Sequence, residues 1–170
     1  MISLLYPSYG RPQKAFDTVM HWLTNAESDV EVCLCVDEND PMISSYIQSF
    51  PENSPLIIRP NKSAVEATNN AAKASQGDLL VYISDDVSTF PRWDTMILNI
   101  AAKYTGEFVI KPSDGLQRFE NDMITFPIMS RKLYQNLGYF WHPDYKSVLV
   151  DVDLWHTCKR RGVVKLHPEI

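Results

Sequence analysis

The chain has 170 residues, 45% of them hydrophobic and 22% charged. That composition excludes a largely disordered chain, and the length suits one domain that buries about two thirds of its unfolded surface without a metal or disulfide staple. Sixteen basic against twenty-one acidic residues leave a net charge of −5, so no surplus of positive charge is available for nucleic acid or anionic lipid.

Residues 2–6 (Ile-Ser-Leu-Leu-Tyr) read as a short buried strand that stops at Pro7, and Gly10 and Pro12 mark a turn. Phe16, Val19, Met20 and Leu23 recur at helical spacing, with Pro12 suited to the first turn of that helix. Residues 30–36 predict a second strand, which ends in Asp37-Glu38-Asn39-Asp40-Pro41. Ile43, Tyr46, Ile47 and Phe50 predict a short helix, and Leu56 to Ile58 a third strand. Ser63 with Glu66 three residues later is a capping box, opening a helix of small residues to about Ser75 that Gly77 closes. Leu79–Ile83 is the most apolar strand and runs straight into Ser84-Asp85-Asp86. Trp93, Ile97, Ile100, Ala101 and Tyr104 mark another helix. Phe108 to Ile110 and Met123 to Phe126 read as strands, with Asp114-Gly115 as a turn between them. Ser130 suits the cap of a helix through Leu133, Tyr134 and Leu137, stopped by Gly138. Val152, Trp155 and Cys158 share one face of a last helix that ends at Gly162, before a final strand over residues 163–166.

Alternation of strand and helix predicts an α/β fold, a mostly parallel central sheet with helices on both faces. No repeat, linker or low-complexity tract interrupts it, so residues 1–170 read as one domain. The apolar runs are far too short to span a bilayer, and Met1 to Pro7 lacks the basic segment and long apolar core of a signal peptide. Cys33 and Cys35 share one face of a strand without reaching each other, and Cys158 is left over. An odd count without a CxxC pair argues against a disulfide scaffold or structural zinc, and a reducing, cytoplasmic setting is the simplest expectation.

In open α/β sheets the ligand crevice lies outside the carboxyl ends of the strands. Pro7 to Arg11, Asp37 to Asp40, Arg59 to Lys62 and Ser84 to Val87 occupy those ends. Each charge there also reads as an ordinary solvated loop residue. Asp85-Asp86 is different: adjacent carboxylates after a buried strand repel, and a divalent cation relieves that repulsion. Oxygen ligands of this kind suit Mg²⁺ or Mn²⁺, and magnesium commonly combines one or two carboxylates with substrate phosphates. No GxGxxG follows the first strand and no GxxxxGK[ST] occurs, so neither a dinucleotide fingerprint nor a P-loop is supported.

Four segments together resemble the GT-A fold of nucleotide-sugar glycosyltransferases, in particular glycosyltransferase family 2. They are Ile2 to Arg11, similar to the family's first strand and Pro-Thr-Tyr-Asn-Arg signature; Val32 to Asp37; Asn69-Asn70 through Gly77-Asp78 to Tyr82-Ile83-Ser84-Asp85-Asp86, similar to its helix and DXD region; and Gly138-Tyr139-Phe140 followed by Asp151-Val152-Asp153-Leu154 and Arg161-Gly162, similar to its acceptor-side pattern. The resemblance implies a metal-dependent, inverting, hexosyltransferase-type enzyme that moves a sugar from a nucleotide-diphosphate donor, UDP-linked, to a hydroxyl of a glycan or other acceptor, with Mn²⁺ or Mg²⁺ as cofactor. It implies nucleotide binding by Pro7, Tyr9, Arg11, Asp37, Asn69 and Asp85, with Asp37 accepting a base N–H. It implies metal binding by Asp86 with Asp85, and proton abstraction by Asp151. Trp141 and His142 fall on the acceptor side, where their aromatic cluster reads first as core closure and next as a platform for a sugar face.

Departures from the family pattern are Ser84 for the first Asp of DXD, Val150 for the Glu before the catalytic Asp, and Gly10 for the Asn before Arg. His167, beside Pro168, does not suit a metal ligand, and Asp151 also reads as a helix cap. Two alternatives stay open: a degenerate domain that binds a nucleotide or glycan without catalysis, and a nucleotidyltransferase. The second needs a basic, Gly-rich phosphate loop, and Ser8 to Pro12 holds a single glycine.

Overall fold

The structure is a computed structural model that describes residues 1–50, 56–113, 115 and 122–170. In chain order its elements are β1 (Ile2–Ser8), α1 (Pro12–Thr24), β2 (Val30–Asp37), α2 (Ile43–Ser49), β3 (Leu56–Arg59), α3 (Ala64–Ala74), β4 (Leu79–Tyr82), α4 (Trp93–Ala101), β5 (Val109–Pro112), β6 (Ile128–Ser130), α5 (Arg131–Leu137), α6 (Val150–Arg160) and β7 (Val164–His167). The strands form one seven-stranded sheet in the order β3-β2-β1-β4-β6-β5-β7. Only β6 is reversed: it pairs antiparallel with β4 and β5, while the other neighbours pair parallel. The carboxyl ends of the other six strands therefore share one edge.

Alternation along the strands sorts the core into two layers. Ile2, Leu4 and Tyr6 of β1, with Val32, Leu34 and Val36 of β2, pack under α1, α2 and α4. Leu5, Cys33, Cys35 and Leu80 face the other way, onto α3, α5 and α6. In the first layer Trp22 and Trp93 meet edge to face at 4.9 Å, and the Trp93 indole N–H donates to the Trp22 carbonyl at 2.9 Å. Burying each such side chain stabilises the fold by about 1.5–3 kcal/mol. All three cysteines are free and buried. Burial pushes the Cys33 and Cys158 thiols up to about 12 and Cys35 to about 11, which leaves them protonated and inert as nucleophiles or metal ligands at neutral pH.

Local signals explain the helix ends. Pro12 opens α1. Ser63 caps α3 by accepting from Glu66 N at 3.1 Å, while Glu66 accepts from Lys62 N at 2.7 Å, one residue outside the usual reciprocal partner. Gly138, at φ +80, ends α5 in the left-handed conformation. Gly77 answers a different demand: a Cβ there would lie 2.4 Å from Ser3 Oγ and 2.8 Å from Ser3 N.

Two expectations shift. The strand predicted over 123–126 is not one; the reversed strand is Ile128–Ser130, starting after Pro127. Residues 123–126 are instead tied to α6, by Ile124 N donating to the Asp151 carbonyl at 3.2 Å. Ser130 both ends β6 and caps α5, accepting from Leu133 N, and that double duty hid the strand. The last helix also starts earlier than the apolar spacing suggests, at Val150. The expected Asp114-Gly115 turn involves Asp114, which lies outside the described residues. Among the described residues, no helix is long and apolar enough to cross a membrane.

Candidate active site

The loop after β1 is braced from below. Gly10 N donates to Asp40 Oδ2 at 2.6 Å, and Arg11 N donates to the buried Tyr46 hydroxyl at 3.0 Å. Ser8 Oγ lies 2.7 Å from the same hydroxyl. Gly10 has φ +69, backbone that Gly and Asn adopt more readily than other residues; the exchange of Asn for Gly at this point therefore respects the local conformation. Tyr9 stands out from this fixed loop, 59% exposed.

Beside it, Pro7, Tyr9, Arg11, Asp37, Asn61 and Lys62 line a pocket of about 330 Å³. Asp37 Oδ1 accepts from Asn39 N at 2.8 Å and Oδ2 from Asn61 N at 3.2 Å. Each oxygen keeps a second lone pair, so the carboxylate can accept a further N–H. Asn61 is the hub of the pocket floor: its amide donates to the carbonyls of Val36 and Arg59, and its oxygen accepts from Asn70.

A second cleft, about 620 Å³, adjoins the first through Arg11 and Ala64. It brings together Arg11, Asp85, Asp86, Trp141 and Asp151. The Asp85 side chain is 8% exposed, with Arg11 Nη1 2.7 Å from Oδ2 and Lys14 Nζ 4.0 Å from Oδ1. Oδ2 is buried and has no aligned hydrogen bond, so the ion pair with Arg11 is what offsets its charge. The repulsion between adjacent carboxylates, expected to call for a metal, is thus already relieved by two cations at Asp85. Asp86 is exposed, and its Oδ1 accepts from the Ser84 hydroxyl.

Among the described residues no group of three or more His, Cys, Asp or Glu side chains is placed to hold a metal by itself. Asp86 as a single open carboxylate fits a divalent cation whose remaining ligands are diphosphate oxygens and water.

Asp151 is the second residue of α6, not its cap. Its Oδ1 accepts from Val152 N at 2.9 Å. The cap position belongs to Leu149, at φ 70 and ψ 4, with no side-chain cap bond. A left-handed leucine costs about 1–2 kcal/mol, strain located at the mouth of the cleft. Inside, Tyr82 stacks on Phe126 at 6.2 Å and meets Trp141 edge-on at 5.5 Å. Burial, then the charges of Asp86 and Asp85, push the Tyr82 hydroxyl up to about 12, so it stays a neutral donor.

Two expected residues stand elsewhere. The Asn69 side chain clamps the chain after Gly138: its oxygen accepts from Phe140 N and Trp141 N at 3.0 and 2.9 Å, and its amide donates to the Trp141 carbonyl at 2.8 Å. That occupies the side chain with positioning Trp141, away from both pockets. His142 packs between Tyr139 and Tyr145 and lines neither cavity. His167 has both ring nitrogens engaged, at the Tyr104 hydroxyl and Glu169, each at 2.7 Å. Sequence reasoning passed over Lys14, Tyr46 and Tyr82 as site residues, and gave Asp40 and Asn61 no role beyond their place at the strand ends. Lys14 was findable, since it stands three residues beyond Arg11 and so shares its side of the helix start; the braces under the loop depend on contacts across the sheet.

No protein-family model and no curated protein matches the sequence. Solved structures match the fold. S. aureus TarS (residues 1–349) in complex with UDP-GlcNAc superposes with a TM-score of 0.74 at 12% identity, over 99% of this chain and 56% of that one. A mannosyltransferase from Pyrobaculum calidifontis in complex with GDP-Man and Mn²⁺ gives 0.70 at 16%, over 99% and 55%. Glucosyl-3-phosphoglycerate synthase from Mycobacterium tuberculosis with Mg²⁺ and UDP gives 0.68 at 16%, over 98% and 68%. The chain thus spans little more than half the length of the first two. At these identities the likeness carries the architecture: the chain has the GT-A fold, as the sequence resemblance implied.

Proposed function

We propose that residues 1–170 form a domain of a glycosyltransferase that takes a nucleotide-diphosphate sugar, UDP-linked, and transfers the sugar with inversion to an acceptor hydroxyl. The observation that carries this reading is the joining of two cavities at Arg11: one holds Asp37 and Tyr9, the other Asp86 and Asp151. A donor laid across that junction has its base at Asp37, its diphosphate near Arg11 and its sugar before Asp151. The complexes of the GT-A neighbours with UDP, UDP-GlcNAc and GDP-Man support a nucleotide-sugar as the donor class.

In this reading Tyr9 flanks the base and Asp37 accepts its N–H. Arg11 and Lys14 supply positive charge where the leaving diphosphate gathers negative charge. Asp86 would hold a Mn²⁺ or Mg²⁺ ion, which when bound neutralises charge on the diphosphate. Asp151 takes the proton from the acceptor hydroxyl as its oxygen bonds to the anomeric carbon and the bond from that carbon to the diphosphate oxygen breaks. The nucleoside diphosphate leaves on the opposite face, and one such displacement inverts the centre. The aromatic side chains of Tyr82, Phe126 and Trp141 beside the reacting groups limit water as a competing acceptor.

Calorimetric titration of UDP with and without Mn²⁺, followed by a donor-hydrolysis and transfer assay over a panel of nucleotide sugars, tests this reading. Metal-enhanced UDP binding and donor turnover are expected. Nucleotide binding without turnover of any donor would instead favour the non-catalytic alternative, for which Ser84 in place of a first carboxylate, bonded to Asp86, is the supporting observation.

A further inference from the structure

The acceptor half of the cleft differs in chemistry from the donor half. At its mouth stand Val148 and Leu149, 76% and 57% exposed, directly before the first turn of α6 that carries Asp151. A single exposed aliphatic side chain is ordinary. Here two adjacent ones line the same cleft as the aromatic side chains of Tyr82, Phe126 and Trp141. Leu149 also keeps its side chain in left-handed backbone that glycine or asparagine would adopt more easily. Among the described residues lining this cleft the charges are Asp85, Asp86, Asp151 and Arg11, and Arg11 is paired with Asp85.

Resting on the transfer reading above, we propose that the acceptor is an uncharged molecule with an apolar group close to its nucleophilic hydroxyl, and that Val148 and Leu149 seat that group. With a donor in place the charge of a metal at Asp86 is matched by the diphosphate, and a phosphate or carboxylate on the acceptor would face Asp151 without a described cation free to offset it. An alkyl or aryl group would instead leave water for the Val148–Leu149 surface and place its hydroxyl two or three residues along the chain, at Asp151.

The test uses Mn²⁺, a panel of UDP-sugars, and matched acceptors: methyl and octyl glycosides of several sugars, with the 6-phosphates of the same sugars. Octyl glycosides are expected to exceed methyl glycosides in kcat/KM by about tenfold, the lower end of what apolar pocket contacts give, and the phosphates to react more slowly than either. In the double variant Val148→Ser with Leu149→Gly the octyl-to-methyl ratio should fall to about one; glycine suits the backbone at 149, so the fold is retained. Donor hydrolysis with no transfer to an octyl glycoside, equal use of octyl and methyl acceptors, or a preference for the phosphates would overturn this inference and leave the transfer reading standing. Binding to phosphatidylcholine vesicles that depends on Val148 and Leu149, with no acceptor preference, would overturn it in favour of a membrane contact. If no donor is consumed under any condition, the transfer reading fails and this inference with it.

Discussion

Arg11 and Lys14 stand three residues apart at the start of α1, and both cations end on Asp85. That arrangement divides labour between two neighbouring carboxylates: Asp85 is buried and paired, Asp86 is open to the cleft. Asp151 is a third case, held by one backbone N–H of its own helix turn. Because Asp151 is not the cap of α6, exchanging it for Asn removes a proton acceptor and little else. Asp151→Asn is expected to leave the melting temperature and UDP affinity unchanged while transfer falls about 10²–10⁴-fold; wild-type transfer by this variant would move the base assignment to Asp153. Asp37 is less separable. Both its oxygens hold loop N–H groups, so Asp37→Ala should lower stability as well as uridine affinity, each by about 1–3 kcal/mol. Urea unfolding and UDP titration on the same variant read the two effects, and unchanged UDP affinity would remove Asp37 from base recognition.

Between elements, a buried polar tie joins α4 to the connection between α1 and β2. The buried Asp94 carboxylate accepts from Glu27 N, from Ser28 N at 2.7 Å and from the Ser28 hydroxyl at 2.5 Å. Burial alone would raise its pKa, but the bonds from Ser28 and Glu27 outweigh that and hold it below the ordinary 3.8. A depressed folded value means stability that is present above about pH 4 and lost as pH falls through the folded value. Asp94→Ala should therefore cost at least about 1–3 kcal/mol at neutral pH, and circular-dichroism acid titrations of wild type and variant should converge below the ordinary carboxylate range. A constant gap down to the lowest pH would show that the tie is not ionic. At the same amino-terminal edge of the strands, Gly77→Ala forces a Cβ against Ser3 and Met1 and should cost about 1–3 kcal/mol in urea unfolding. The elements most legible in the sequence were those with one dominant local signal: the Ser63–Glu66 box, Pro12, Gly138, and the apolar runs of β1 and β2. Residues 123–126 misled because their apolar alternation serves the cleft lining and the Asp151 carbonyl rather than a ladder. The site was legible where it followed strand ends, as at Arg11, Asp37 and Asp85. It was not legible where a side chain's partner lies far along the chain, as with Asn69, which clamps Phe140 and Trp141.

At the scale of the molecule, the sheet order puts β1 in the interior of the sheet, between β2 and β4. One cavity forms at the β1–β2 side and the other at the β1–β4 side, and Arg11 and Ala64 line both. A ligand that bridges them clamps β1, β2 and β4 at once, so its binding energy is coupled to the unfolding of the whole sheet. UDP with Mn²⁺ at about one hundred times its dissociation constant should add about 2.7 kcal/mol, a rise of about 5–10 °C in melting temperature for a chain of this length. UDP alone should give a smaller rise, because Arg11 and Lys14 are then divided between Asp85 and the diphosphate. Differential scanning fluorimetry of wild type and Asp86→Asn separates the contributions. The Mn²⁺-dependent part should vanish in the variant while the part due to UDP alone persists through Asp37 and Tyr9. An equal rise with and without Mn²⁺ in the wild type would remove the metal from Asp86, and no rise with UDP, GDP, CDP or dTDP would remove the nucleotide from the cleft altogether.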